Sequence, residues 1–142
     1  MENFDDFFPL LKTFLGEVYG SPERGLAIYQ SKYRAVDYYR NYRSRPGSYL
    51  LILKEGGRPC GFLYGRRLKD CSYIYDIFVE PRLRGRGLGK ALVRAFAALT
   101  PSPYRADVHH GALESFKRWG FKELSSYLED GVRWHLVEAS TL

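Results

Sequence analysis

The stretch Val79-Glu80-Pro81-Arg82-Leu83-Arg84-Gly85-Arg86-Gly87-Leu88-Gly89-Lys90-Ala91-Leu92 decides the reading of this chain. Before it, Ser72-Tyr-Ile-Tyr-Asp-Ile-Phe-Val79 is rich in β-branched and aromatic residues and predicts a strand, which Pro81 breaks. After it, Leu88, Ala91, Leu92, Ala95, Phe96 and Leu99 predict one apolar face of a helix, stopped by Thr100-Pro-Ser-Pro103. Between the two, Gly85, Gly87 and Gly89 alternate with other residues. Glycine lets a backbone turn sharply and meet a ligand with no Cβ in the way. The N–H groups of such a turn and of the helix start converge on one spot and favour an anion. Arg82, Arg84, Arg86 and Lys90 add positive charge around it. The pattern is that of a phosphate cradle.

Two phosphate-binding loops are disfavoured by single positions. A Walker A loop needs Gly where Arg84 stands, and Ser or Thr, to hold magnesium, where Ala91 stands. A dinucleotide fingerprint needs its third glycine at the place of Lys90. Asp107 is suitably spaced for a ribose-binding acid, yet such a fold needs several more parallel strands and only 35 residues follow it.

Working outward, Phe4, Phe7, Phe8, Leu11, Phe14, Leu15 and Val18 predict a first helix ending near Gly20-Ser21-Pro22. Ser21 or Pro22 opens a second, running through Leu26, Ile28, Tyr29 and Tyr33 toward Tyr42 and closed by Arg45-Pro46-Gly47. Ser48–Lys54 and Pro59–Arg66 read as strands about the turn Glu55-Gly-Gly57. Tyr104–Val108 is a short strand and Ala112–Trp119 a short helix ended by Gly120. Phe121–Leu128 and Val132–Val137 flank the turn Asp130-Gly131. The predicted order is α-α-β-β-β-α-β-α-β-β, a mixed α/β chain.

At 142 residues the chain suits one domain spanning 1–142, with ample apolar content for one core. No run approaches the ~20 apolar residues of a membrane helix, and the acidic start Met1-Glu-Asn-Phe-Asp-Asp6 lacks signal-peptide features, so a cytoplasmic protein is expected, without a membrane partner. Cys60 and Cys71 fall on consecutive strands, about 20 Å apart at ~3.3 Å per residue, whereas a bridge needs Cα atoms within about 7 Å. Free thiols are expected. The formal charge of +6 favours anionic partners without choosing among a phosphorylated cofactor, nucleic acid and an acidic surface. Nucleic-acid binding rests on that charge alone and is disfavoured.

Arg84-Gly85-Arg86-Gly87-Leu88-Gly89 resembles the Arg/Gln-x-x-Gly-x-Gly/Ala pyrophosphate motif of the GNAT superfamily of N-acetyltransferases, and Phe78-Val79-Glu80-Pro81 precedes it as that family's fourth strand usually does. Ala112-Leu-Glu-Ser-Phe-Lys-Arg-Trp-Gly-Phe121 resembles the family's second conserved block, an alanine-led helix running into Gly-Phe. The resemblance is strongest from Tyr73 to Phe121 and implies a GNAT-like fold. That fold is a central, mostly antiparallel sheet of about six strands, flanked by about four helices, with the family's fourth and fifth strands splayed. Those strands are the third and fourth of this chain, because the expected first strand is missing or very short.

The resemblance further implies acetyl-CoA as cosubstrate and transfer of its acetyl group to an amine. The main-chain amides of Arg84, Gly85, Arg86, Gly87, Leu88, Gly89 and Lys90 would hold the CoA pyrophosphate. Backbone groups of Phe78 and Val79 would pair with the pantetheine arm, and a main-chain N–H near Val79 would meet the oxyanion. Family members commonly use a carboxylate base on one of the two splayed strands, where this chain has Asp76 and Asp107. Asp76 sits in an apolar run, where a carboxylate needs a partner or a task; His109 and His110 follow Asp107 and could shuttle protons. Phe116 stands beside the cofactor where many members have a tyrosine acid, and phenylalanine cannot donate a proton. Ser115, Tyr104, Tyr127 or a histidine would then protonate the thiolate, or it leaves unprotonated, or catalysis is lost. The last case defines the alternative, an acyl-CoA-sensing domain. No metal is called for. The acceptor, whether a small amine, a protein N-terminus or a lysine, would meet the first two helices, the tyrosines of the second (Tyr29, Tyr33, Tyr38, Tyr39, Tyr42) and the last hairpin. Homodimerisation through the terminal strands or first helices stays open.

Overall fold

The computed structural model describes residues 4–32 and 46–142, with side chains over 7–28 and 46–142. The tyrosines from Tyr33 to Tyr42 and the side chain of Tyr29 lie outside the described residues.

Helix α1 (Phe4–Tyr19) buries Phe7, Leu11, Phe14 and Leu15 of the expected stripe together with Leu10, whereas Phe8 and Val18 are half-buried. It is followed by α2 (Pro22–Lys32), whose start is satisfied by the Ser21 hydroxyl accepting the Arg24 N–H at 3.1 Å. The strands are β1 (Ser48–Glu55), β2 (Arg58–Arg67), β3 (Ser72–Val79), β4 (Tyr104–His109), β5 (Lys122–Glu129) and β6 (Val132–Ala139). Helix α3 (Leu88–Leu99) joins β3 to β4, and α4 (Leu113–Arg118) joins β4 to β5. Each lies within a few residues of its expected place, save that the expected run of α2 on toward Tyr42 falls outside the described residues.

The strands form one sheet in the order β1-β2-β3-β4-β6-β5. Every neighbouring pair is antiparallel except β3 and β4, which are parallel. That pairing covers only Ser72–Ile74 against Tyr104–Ala106. Beyond it both strands run on, β3 paired to β2 alone and β4 to β6 alone, so the sheet parts. This is the splay expected from the resemblance.

Two apolar clusters cover the two faces. On one, Phe62, Tyr64 and Phe78 of the sheet meet the stripe of α1. On the other, Leu63, Ile74, Val79, Val108 and Val137 meet Leu92, Val93 and Phe96 of α3 and Phe116 of α4. The buried face of α3 differs from the expected one. Leu88, Leu92 and Phe96 face the sheet with Val93, whereas Ala91 and Ala95 are exposed and Leu99 is 51% exposed. Positions 91, 95 and 99 form the adjoining i,i+4 row, turned about 100° away. Cys60 and Cys71 are both buried and free.

A β-bulge decides where the acids of β3 point. Tyr64 pairs with Asp76 but Gly65 pairs with Ile74, leaving Tyr75 as an extra residue. Four apart, Ile74 and Phe78 would share a face on a regular strand. Here Ile74 packs with α3 and Phe78 with α1. Asp76, two residues before Phe78, is thereby turned to the α1 face and into the parting between β3 and β4.

Candidate active site

The cradle forms where β3 ends. Gly85 and Gly87 hold φ of +80° and +79°, a conformation glycine adopts without penalty, and a Cβ on either would meet nothing within 4 Å. Gly87 caps α3, whose first bond runs from the Ala91 N–H to the Gly87 carbonyl at 3.0 Å. The N–H groups of Leu88, Gly89 and Lys90 consequently have no acceptor within the helix. Gly89 serves packing: a Cβ there would lie 2.9 Å from the Trp119 ring, which pins the end of α4 against the start of α3.

A cleft of about 520 Å³ runs from these amides between β3 and α4. Its walls include Gly85, Gly87, Lys90, Val79, His109 and Phe116. The charges expected around it divide. Arg82 pairs with Glu80 and Glu55. Arg84 donates from Nε to the Val79 carbonyl at 2.9 Å, pairs with Glu17 of α1 at 2.5 Å, and lies over the Phe78 ring. Both arginines thus have internal carboxylate partners. Arg86 and Lys90 have none among the described residues.

Register also bears on the backbone around Phe78. The Glu80 N–H donates to the Cys60 carbonyl at 2.9 Å, and residues of an antiparallel strand alternate in the neighbour they bond. The backbone groups of Phe78 are therefore turned to β2, whereas those of Ile77 and Val79 face the parting. The backbone groups that border the gap are those of Ile77 and Val79.

Beyond the cleft, and sharing Phe14, Ile77, His109, Ala112 and Phe116 with it, is a crevice of about 20 Å³, room for about one water. Asp76, Asp107 and His109 all line it, so three residues from two separate sequence segments meet there. Asp76 is buried. Asp107 accepts a short hydrogen bond from the Tyr73 hydroxyl. That bond and burial push the Tyr73 phenol far above its usual pKa, burial contributing most. Burial also pushes the His109 imidazole below the usual histidine value; Glu17 opposes the shift, and Arg84 and His110 add to it. The His109 imidazole lies edge-on to Trp134, with ring centroids 6.5 Å apart.

Among the expected proton donors, Tyr104 is removed. It is buried, and its hydroxyl reaches the Thr100 carbonyl at 3.0 Å and the Ala97 carbonyl at 3.2 Å. Tyr127 is exposed on β5 and lines neither space, whereas Ser115 lines the cleft. Phe116 is buried against Trp119 and Phe121, with ring centroids 4.9 and 5.0 Å away.

Several neighbours lack a local signal in sequence. Glu17, Trp134 and Arg118 reach the two spaces only through tertiary contacts. His110 Nδ1 and His135 Nε2 lie 2.9 Å apart, and His135 Nδ1 bonds Glu123 closely, so a hydrogen-bonded chain backs the turn that carries His109. The pairing of β4 and β5 with β6 assembles that chain.

No described helix is long and apolar enough to cross a membrane. The family model described as "Acetyltransferase (GNAT) family" matches residues 12–121. An uncharacterized N-acetyltransferase of Methanocaldococcus jannaschii is 28% identical over 138 residues; the match covers 86% of this chain and 58% of that relative. Among solved structures, a GCN5-related N-acetyltransferase from Rhodopseudomonas palustris superimposes with TM-score 0.76 at 18% identity, covering 98% of this chain and 92% of that one. The PaiA N-acetyltransferase of Thermoplasma acidophilum, solved in complex with coenzyme A, gives TM-score 0.72 at 15% identity, covering 96% and 91%. Parted parallel strands, glycine cradle and family match agree: the chain belongs to the GNAT acetyltransferase family.

Proposed function

We propose that this chain is an acetyl-CoA-dependent N-acetyltransferase that moves an acetyl group to a primary amine by direct transfer. The observation that carries the reading is the cleft leading from the cradle amides to the crevice of Asp76, Asp107 and His109. Its residues fit the cosubstrate: orphan N–H groups of Leu88, Gly89 and Lys90 for a diphosphate, and Ile77 and Val79 backbone groups facing the gap for an amide-bearing arm. Acetyl-CoA supplies an activated acyl group on a thiol that is a tolerable leaving group.

The residues divide the remaining work. An amine resembling lysine has pKa ~10.4 and must lose a proton before it can attack. His109, neutral and at the crevice, takes that proton directly or through one water. Asp76 favours entry of the cationic amine, and Asp107, held by Tyr73, keeps the crevice negative. As nitrogen attacks the thioester carbon, the carbonyl oxygen gains negative charge, which the Val79 N–H stabilises. The carbon–sulfur bond then breaks and the pair leaves on sulfur. Phe116 cannot protonate it, and the CoA thiol leaves as the thiolate. The two buried free thiols suit a reducing compartment, and we place the protein in the cytoplasm.

Calorimetry with acetyl-CoA tests the reading on the unaltered protein and on Gly87→Trp, which fills the cleft from a position with open space around it. Micromolar binding that weakens at least tenfold in the variant supports it; no binding to the unaltered protein refutes it. Phe116 favours a second reading, an acyl-CoA-sensing domain without turnover. Binding without acetylation across a broad amine panel would select it.

A further inference from the structure

Three cations beside the cleft have no carboxylate partner among the described residues: Arg86, Lys90 and Arg118. Lys90 lies in the first turn of α3, which carries no acid. A cation there opposes the helix macrodipole, an arrangement that an anion at the same place would relieve. Arg118 comes from the opposite wall. It ends α4, lines the cleft, and donates from Nη2 to the Ser115 hydroxyl at 3.2 Å. The contact of Trp119 with Gly89 sets that end of α4 level with the cradle amides. Lys117, the preceding residue, is instead paired with Glu114 at 3.8 Å and is absent from the cleft.

We propose that Arg118, oriented by Ser115, is a diphosphate-binding residue that closes the cradle from the α4 side, opposite the amides and Lys90. The proposal rests on the acetyl-CoA reading above. It gives the cradle a guanidinium able to bond phosphate oxygens bidentately, where the motif arginine Arg84 is committed to Glu17 and Val79. The site then grips the cosubstrate with side chains from both walls of the cleft.

The test is calorimetry of Arg118→Ala with CoA and with dephospho-CoA, which retains the diphosphate but lacks the 3′-phosphate, each at two salt concentrations. The side chain is exposed at a helix end, so the melting temperature should hold and serve as the folding control. The expected result is about tenfold weaker binding of both ligands, a shallower salt dependence, and partial recovery in Arg118→Lys, which keeps the charge but not the fork. Unchanged affinity would overturn the proposal. So would a loss confined to CoA, which would assign Arg118 to the 3′-phosphate. A loss with unchanged salt dependence would also overturn it, pointing to lost packing. Failure of the unaltered protein to bind CoA is a different result, and it refutes the acetyltransferase reading itself.

Discussion

His109→Gln is the substitution with the most to say about chemistry. Glutamine approximates the size of imidazole and can hydrogen-bond, but it cannot take up a proton near neutral pH. A positioned base contributes about 10²- to 10⁴-fold. The lower end applies here, because Asp76 lines the same crevice and can accept the proton in its place. About a hundredfold loss of kcat corresponds to roughly 2.7 kcal/mol of barrier. The pH profile is more diagnostic than the loss. Burial holds the His109 pKa below the ordinary histidine value, so the acid limb of kcat for the unaltered protein should lie below about pH 6.5. In the variant that limb should disappear or move toward the carboxylate range near about 4. Thiol release from acetyl-CoA in the presence of polyamine, lysine-peptide and N-terminal-peptide acceptors measures both quantities. Losing the edge-on contact with Trp134 should cost only about 0.5–1.5 kcal/mol of stability, which a thermal melt separates from catalysis. A variant with kcat within twofold of the original and the same acid limb would refute His109 as the base.

Asp76→Asn should lower turnover at least tenfold with cationic acceptors, and unchanged kinetics would remove Asp76 from the mechanism. Glu123 predicts a pH dependence of stability: the hydrogen bond from His135 holds its carboxyl below the usual range. A carboxyl with a depressed folded-state pKa stabilises above its unfolded value, about 4.3, and that contribution is lost as pH falls through the folded value. Urea titrations between pH 3 and 7 should show a flatter acid decline in Glu123→Gln than in the unaltered protein. Identical slopes would mean that the pair carries no linkage.

How much of this could be read without coordinates depended on the range over which each signal acts. The order of elements along the chain, the glycine turn after β3 and most of the α1 stripe come from spacing within one segment, and there sequence and structure agree. It erred on α3, where Ala91, Ala95 and Leu99 formed as good an apolar row as Leu88, Leu92 and Phe96. Nothing local says which row the sheet will cover. Arg84 looks like a phosphate ligand in a run of basic residues, but its partner Glu17 is far away in sequence, and Arg82 is held between nearby Glu80 and distant Glu55. The bulge at Tyr75 likewise follows from the pairing of β2 with β3, and it alone turns Asp76 toward the crevice.

The parting of β3 and β4 joins fold to chemistry through an energetic requirement. Over Ile77 and Val79, β3 turns backbone groups toward a neighbour that has diverged. A buried amide left without a partner costs about 1–3 kcal/mol, so a dry gap at these residues would be a standing penalty. The Val79 carbonyl already has a substitute partner in Arg84 Nε, which shows how the fold meets that requirement at one atom. Water can meet it at the others, and an extended ligand bearing its own amides can meet it better by adding a strand to the exposed edge. The same geometry that weakens the sheet therefore selects the shape of what can bind there, an extended chain with amides of its own, along an edge where the N–H of Val79 faces the gap.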